Sequence, residues 1–105
     1  MSIWIFMVAL YSAQGADPEA GRSAYVAKCQ ACHGPAGKGD GPAAGALPKK
    51  PKDMTTAEFW ADVTDDSLKA VITKGKPGSA MRGFPMKPEP LADLVAYLNT
   101  LKPPS

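Results

Sequence analysis

The sequence predicts a small all-α domain of three to five helices that wrap around one bound group. Apolar residues recur at helical spacing in several segments, and no segment alternates between apolar and polar residues as a half-buried strand does. Residues 34–52 hold five glycines and four prolines, and a compact domain seldom carries so long an irregular segment unless it packs on something. A chain of 105 residues is also close to the lower size limit at which an apolar core alone can stabilise a fold.

The domain is expected to span residues 17–105, after a hydrophobic leader at residues 1–16. Residues 3–10 are an unbroken apolar run, which suits the centre of a secretory signal and is shorter than the roughly 20 residues of a membrane-spanning helix. The first positive charge is Arg22, whereas a signal normally begins with Lys or Arg. Two interpretations stay open, a cleaved signal peptide and a retained anchor that contacts a membrane or another subunit. Both place the domain in the periplasm or another exported location.

The first helix should begin at Asp-Pro-Glu, residues 17–19, and run to about Cys29. Asp caps the free amides, Pro is tolerated in the first turn, and Glu complements the positive end of the helix dipole. Gly21 and Tyr25 lie four residues apart and share a face, so another backbone can approach closely at Gly21 beside the aromatic ring.

Three further helices are expected. Thr-Thr-Ala-Glu at residues 55–58 resembles a capping box that opens a short helix. A second helix, over residues 64–74, buries Leu68, Val71 and Ile72 and ends at Gly75. The last helix, over residues 91–101, carries an apolar stripe made of Leu91, Leu94, Val95, Leu98 and Leu101.

Both cysteines and the only histidine lie in one pentapeptide, Cys29-Gln30-Ala31-Cys32-His33. CxxCH is the signature of haem attachment, in which both thiols bond to the vinyl groups and the next imidazole binds iron. A disulfide at this spacing would be strained and would close almost no loop. A thioredoxin-like pair needs a preceding strand, and a zinc site needs a fourth N or S donor. The motif therefore predicts one covalent haem c, attached through Cys29 and Cys32, with His33 as an iron ligand.

The second axial ligand is predicted to be Met81. A thioether opposite an imidazole favours Fe(II) and raises the reduction potential, and electron carriers use this pair. Met81 follows a flexible turn, residues 74–78, that can bring it over the open haem face. Met86 is the second choice and Met54 the third, and any of these side chains can instead fill the core.

These features resemble the class I c-type cytochromes over nearly all of residues 17–102. In that family a glycine and an aromatic residue of the first helix cross a last helix rich in leucine and aromatic residues. Gly21 and Tyr25 match this pair, with Leu94 and Tyr97 opposite. The resemblance implies the cytochrome c fold around a single haem.

The resemblance also implies roles for three other positions. Gly41-Pro42 is similar to a Gly-Pro pair whose carbonyl accepts a hydrogen bond from the haem histidine, which makes Pro42 a predicted haem-site residue. Met81-Arg82-Gly83-Phe84 resembles the Met-Pro-x-Phe sequence of the axial methionine, with Arg in place of Pro. Trp60 is similar to an indole that donates to a haem propionate, and it is equally compatible with a core tryptophan.

The predicted function is electron transfer between a donor and an acceptor protein, without a substrate-transforming site. Nucleic acid is not an expected partner, because the net charge is +2 and no basic run is long enough to follow its backbone. One group of basic residues either steers acidic partners or forms an ordinary solvated surface: Lys49, Lys50, Lys52, Lys74, Lys76 and Arg82.

Two other functions are kept as alternatives. In the first, the chain is a haem subunit of a membrane respiratory complex, which it contacts only through residues 1–16. In the second, the chain is a small haem enzyme or gas-binding protein with an open sixth site, which Met81 and the absence of a second histidine argue against.

Overall fold

The computed structural model describes residues 15–104, and these residues form five α-helices and one short 3₁₀ helix. The 3₁₀ helix is Ala44–Ala46. The α-helices are α1 (Pro18–Lys28), α2 (Gln30–His33), α3 (Ala57–Ala61), α4 (Asp65–Lys74) and α5 (Pro88–Asn99). Within the described range there is no strand, and a single isolated antiparallel bridge pairs Gly75 with Arg82. The predicted all-α class is confirmed.

The predicted leader, residues 1–16, lies outside the described residues except for Gly15 and Ala16, which are exposed and non-helical. From Gly15 to Pro104, no helix has the combination of length and hydropathy that crossing a bilayer requires.

Helix α1 starts and packs as its sequence predicts. The Asp17 carboxylate accepts a hydrogen bond from the Glu19 amide at 3.0 Å, with Pro18 in the first turn. Gly21 and Tyr25 are the buried residues of α1. The Tyr25 ring lies against Tyr97 of α5, with centroids 5.2 Å apart and planes inclined at 49°. The predicted crossing of the first and last helices is therefore present.

The core is built mainly from one face each of α1, α4 and α5. Its buried members are Tyr25, Met54, Leu68, Ile72, Leu91, Leu94, Val95 and Leu98. Met54 enters this cluster from the segment before α3. The leucine stripe predicted for the last helix is buried as expected, except that Leu101 lies beyond α5 and is half-buried.

Helix α5 begins at Pro88, three residues earlier than predicted. Pro88 occupies the first helical position and Pro90 also lies in the first turn, after the N-cap residue Lys87. The amides of a first turn have no intrahelical acceptor, so proline loses no hydrogen bond there. Two prolines that resemble a loop in the sequence thus belong to the helix.

The N-cap of α3 differs from the prediction by one residue. Thr56, not Thr55, is the cap, and its hydroxyl accepts a hydrogen bond from the Phe59 amide at 3.2 Å. Thr55 instead bonds through its amide and its hydroxyl to the Asp53 carboxylate. A capping box is present one helix later, where the side chains of Thr64 and Ser67 each accept the other's amide.

Candidate functional site

The CxxCH pentapeptide spans the junction between α1 and α2. Cys29 ends α1 and is the N-cap of α2, which carries Cys32 and His33. The His33 amide donates to the Cys29 carbonyl at 2.9 Å, so the motif forms a single helical turn. Both cysteines are free thiols and half-buried, which leaves them available for two thioether bonds.

Burial sets the protonation of the motif. It raises the pKa of Cys29 to about 11, a change that Lys28 opposes and Cys32 reinforces. It also lowers the pKa of His33 below its ordinary value. The imidazole is therefore neutral at pH 7, and this is the form that binds a metal.

The segment after the motif folds back along α2. The amides of Gly39, Gly41 and Ala43 donate in turn to the carbonyls of the motif, at 2.8 Å to His33, 3.1 Å to Cys32 and 2.8 Å to Ala31. The glycine-rich loop, residues 34–52, thus donates hydrogen bonds to carbonyls at the end of α2 that have no partner within the helix.

The predicted hydrogen bond from His33 to the Gly41-Pro42 pair is not formed. Nδ1 of His33 is buried and has no hydrogen-bond partner among residues 15–104. Gly41 instead lies on the backbone of α2, where an added Cβ would be 2.3 Å from the Ala31 carbonyl oxygen. Pro42 is exposed, and its role in the haem site stays a prediction.

The segment that carries Met81 is a tight hairpin. The Ser79 amide donates to the Lys76 carbonyl at 3.1 Å, and Gly78 has a φ of 77°. Pro77 followed by a left-handed glycine is the pattern of a type II turn. The Lys76 amide then donates to the Met81 carbonyl at 3.0 Å. The turn predicted to be flexible is therefore closed by its own backbone.

The same hairpin is attached to the end of α4. The Phe84 amide donates to the Ile72 carbonyl at 2.7 Å. An added Cβ on Gly83 would be 2.3 Å from the Thr73 carbonyl oxygen, so the two backbones are in contact. The position of Met81 is fixed by contacts on both sides of it.

The three methionines of the domain have different surroundings. Met54 is 6% exposed and belongs to the core, and Met86 is partly buried against that core. Met81 is half-buried but is not among the side chains that pack on the core cluster. Met81 is therefore the methionine of the three that does not pack on the core cluster.

Met81 belongs to a group of larger apolar side chains that do not pack on the core cluster. Its members are half-buried and, like Met81, are absent from the side chains that contact the core cluster: Leu47, Val71, Met81 and Phe84. The sequence predicted Val71 on the buried face of α4, but only Leu68 and Ile72, which are one turn apart, reach the core. The sequence does not predict Leu47 at this place, because nothing local distinguishes it from other loop residues.

An open gap lies between the loop after α2 and the turn before Met81. Its volume is about 390 Å³. It is lined by Pro48 and Lys49 from one side and by Gly78, Ser79 and Ala80 from the other. Two long connections thus face each other around a space that no side chain of the described residues fills.

The indole N–H of Trp60 makes a hydrogen bond within the protein. Its Nε1 donates to the Met54 carbonyl at 2.7 Å, and the Lys102 ammonium lies 5.0 Å from the ring centroid. Because an indole has one N–H group, this arrangement favours the core interpretation of Trp60.

A sequence model of the family described as Cytochrome c matches residues 18–102. The chain belongs to the cytochrome c family. The predicted family is thereby confirmed, and the family implies a covalently bound haem c. Two free thiols at positions 29 and 32, a neutral imidazole beside them and half-buried apolar side chains outside the core fit that group.

Two solved structures are similar to this cytochrome over most of its length. One is a chain of the Kuenenia stuttgartiensis reducing HAO-like protein complex Kustc0457/Kustc0458, with a TM-score of 0.67 and 27% identity. The match covers 80% of this chain and 42% of that one, so this cytochrome spans less than half of that chain. The other is the KustC0563 c-type cytochrome, with a TM-score of 0.65, 26% identity and coverage of 78% and 96%. No curated protein matches the sequence.

The family and these neighbours support a haem-binding, electron-transfer role. The haem supplies the one-electron chemistry when bound. Cys29 and Cys32 would hold it covalently through thioether bonds, and His33 would bind its iron.

Proposed function

We propose that this cytochrome is a one-electron carrier whose haem iron is held by His33 on one side and Met81 on the other. The placement of Met81 carries the proposal. Its side chain does not pack on the core cluster, whereas those of Met54 and Met86 do. The hairpin that carries it is held by the hydrogen bonds from the Lys76 amide to the Met81 carbonyl and from the Phe84 amide to α4.

This ligand pair suits a carrier and leaves no place for a substrate. A neutral imidazole donates to iron without releasing a proton, and a thioether favours the reduced state. With both axial positions taken by protein side chains, the iron has no open coordination position. We therefore propose that the chain transforms no substrate.

Spectroscopy of the purified holoprotein tests the proposal. We expect the absorption spectrum of a six-coordinate, low-spin c-type haem that survives acid-acetone extraction. Colourless protein from a host able to attach haem would contradict the assignment. Carbon monoxide tests the open-site enzyme or gas-binding alternative, because rapid and complete binding to the reduced protein would favour that alternative.

The distribution of charge supports docking in which basic side chains of this cytochrome attract an acidic partner surface. The two long connections, residues 34–56 and 75–87, hold seven basic and two acidic side chains, whereas the rest of the chain holds five basic and eight acidic ones. All seven basic side chains of the connections are exposed. Since both connections border the gap described above, an acidic surface of a donor or acceptor protein would be drawn to that side.

Salt dependence tests the steering. We expect electron-transfer rates with an acidic partner to fall as ionic strength rises, because screening shortens the range of the attraction. The double substitution Lys49→Gln and Lys50→Gln should flatten this dependence. The matched pair Arg22→Gln and Lys69→Gln removes the same charge elsewhere and should leave it nearly unchanged. Rates that do not vary with salt would remove the steering proposal.

We further propose that the domain works outside the cytoplasm, where the apolar run of residues 3–10 directs it. Cell fractionation, with the N-terminal mass of the mature protein, tests this. A mature chain that begins near residue 17 indicates a cleaved signal, and an intact one in the exported fraction indicates a retained anchor. A haem-containing chain confined to the cytoplasm would contradict both.

A second candidate function is a haem subunit of a larger redox complex. It is favoured by the similarity to a chain of a complex named as reducing and HAO-like. Native mass and membrane extraction discriminate the two functions. A soluble shuttle runs at the mass of a single chain and is released by salt, whereas a subunit copurifies with partners or requires detergent.

A further inference from the structure

Tyr25 touches both ends of the CxxCH pentapeptide. Its backbone carbonyl accepts a hydrogen bond from the Cys29 amide at 2.8 Å. Its hydroxyl donates to the carbonyl of Gly34, the residue that follows His33, at 2.5 Å. One residue of α1 therefore binds the backbone where the motif begins and where it ends.

The hydroxyl bond is made in a fully buried place. Tyr25 is 1% exposed and Gly34 is buried. A buried phenol needs a partner, since an unpaired hydroxyl in an apolar interior destabilises the fold. Burial also raises the pKa of Tyr25, so the hydroxyl keeps the proton that it donates.

Gly34 is the point at which the chain turns away from the motif. It caps α2 with a φ of 86°, a conformation that favours glycine. An added Cβ there would be 2.1 Å from Oδ1 of Asp40, so the loop closes tightly over it. The Gly34 carbonyl also accepts from the Gly37 amide at 3.2 Å. The exit from His33 is thus held by α1 on one side and by the glycine-rich loop on the other.

We propose that Tyr25 is a positioning residue for the haem-attachment pentapeptide, with its hydroxyl fixing the backbone that leaves His33. The inference rests on the proposed function, because it takes His33 as the iron ligand. It goes beyond the helix crossing, which the Tyr25 ring alone would satisfy by packing on Tyr97. The oxygen is needed for the motif, and the ring for the core.

The substitution Tyr25→Phe removes the hydroxyl and keeps the ring. Tyr97→Phe is the matched control, because it removes the same atom from the neighbouring ring, which has no hydrogen bond through its hydroxyl among the described residues. The measurement is amide hydrogen exchange in each haem-loaded protein. The amides of Gly37 and Gly39 report on the motif, since they donate to the carbonyls of Gly34 and His33.

We expect Tyr25→Phe to speed exchange at Gly37 and Gly39 about fivefold, equivalent to the loss of about 1 kcal/mol. The amides of α5 should keep their wild-type rates, and Tyr97→Phe should change neither region. Parallel acceleration in α5 and the loop would show that Tyr25 only fills the core. Unchanged rates at Gly37 and Gly39 would overturn the proposal outright.

A measurement on the wild-type holoprotein does not depend on the variant folding. The Tyr25 hydroxyl proton should give a slowly exchanging NMR signal with a cross-peak to Gly34, and its absence would also overturn the proposal. The spectral test of iron ligation is separate. Haem bound without an imidazole ligand would defeat the proposed function, whereas normal ligation with unchanged exchange in Tyr25→Phe would defeat this inference alone.

Discussion

Gly21 is in direct contact with the backbone of Asp93 where α1 crosses α5. An added Cβ on Gly21 would lie 1.9 Å from the Asp93 carbonyl oxygen and 2.9 Å from Cβ of Tyr97. The Asp93 carboxylate also accepts a hydrogen bond from the Asp17 amide at 2.8 Å. The two helices therefore approach to a distance that excludes any side chain at Gly21.

Gly21→Ala should destabilise the holoprotein by about 2–3 kcal/mol, because a methyl group at this contact forces two backbones apart. Denaturant unfolding followed by circular dichroism measures the loss. Gly45→Ala is the control, since an added Cβ there has no atom within 4 Å, and it should change stability by less than about 0.5 kcal/mol. Equal effects of the two substitutions would contradict the helix contact as the cause.

The crossing could be predicted because its signals are local and repeated. A glycine and an aromatic residue one turn apart, with a leucine stripe near the C-terminus, define two complementary faces by their spacing alone. The cap of α3 could not be predicted in the same way. Thr55 and Thr56 are equally good caps, and the choice depends on Asp53, whose carboxylate takes the hydrogen bonds of Thr55.

In the candidate site, too, the features set by neighbouring residues could be predicted and those set by the path of a loop could not. The thiols and imidazole of CxxCH are adjacent in sequence, so their grouping needs no tertiary information. The path of the next segment depends on left-handed backbone at Gly34, Gly37 and Gly39, which any glycine permits and none requires. This is why the sequence could suggest a partner for the His33 imidazole in the Gly41-Pro42 pair, while the loop instead lies along α2.

Met81→Ala should lower the reduction potential and allow carbon monoxide to bind the reduced protein, because the thioether that stabilises Fe(II) is gone. Met86→Ala is the matched control. Met86 packs on the core, so its loss should reduce stability by about 1–3 kcal/mol and leave the potential nearly unchanged. Redox titration and thermal unfolding of both variants measure the two effects. The reverse pattern would reassign the ligand to Met86.

Arg82→Pro should preserve the Met81 hairpin. The backbone amide of Arg82 makes no hydrogen bond within residues 15–104, so a proline there loses none. The bridge between Gly75 and Arg82 is made by the neighbouring Lys76 amide, which donates to the Met81 carbonyl. Only the contact of the guanidinium with Phe84, 5.9 Å from its ring centroid, is lost, at about 0.5–1 kcal/mol.

The contrasting substitution is Gly83→Ala, one residue further along. Its Cβ would meet the Thr73 carbonyl oxygen at 2.3 Å, so it should push the hairpin away from α4 and weaken methionine ligation. Carbon monoxide binding to the reduced protein compares the two variants. Faster binding in Arg82→Pro than in Gly83→Ala would mean that the arginine side chain, and not the backbone contact, holds the hairpin.

Trp60→Phe should lower stability without moving the reduction potential. The substitution removes the hydrogen bond to the Met54 carbonyl and weakens the contact with Lys102, which together are worth about 1–2 kcal/mol. Lys102→Gln removes the cation alone and should have the smaller effect. An indole that bonded a haem propionate would change the charge environment of the iron, so its loss would shift the potential. If Trp60→Phe shifts the reduction potential and leaves stability unchanged, Trp60 belongs to the haem site and not to the core.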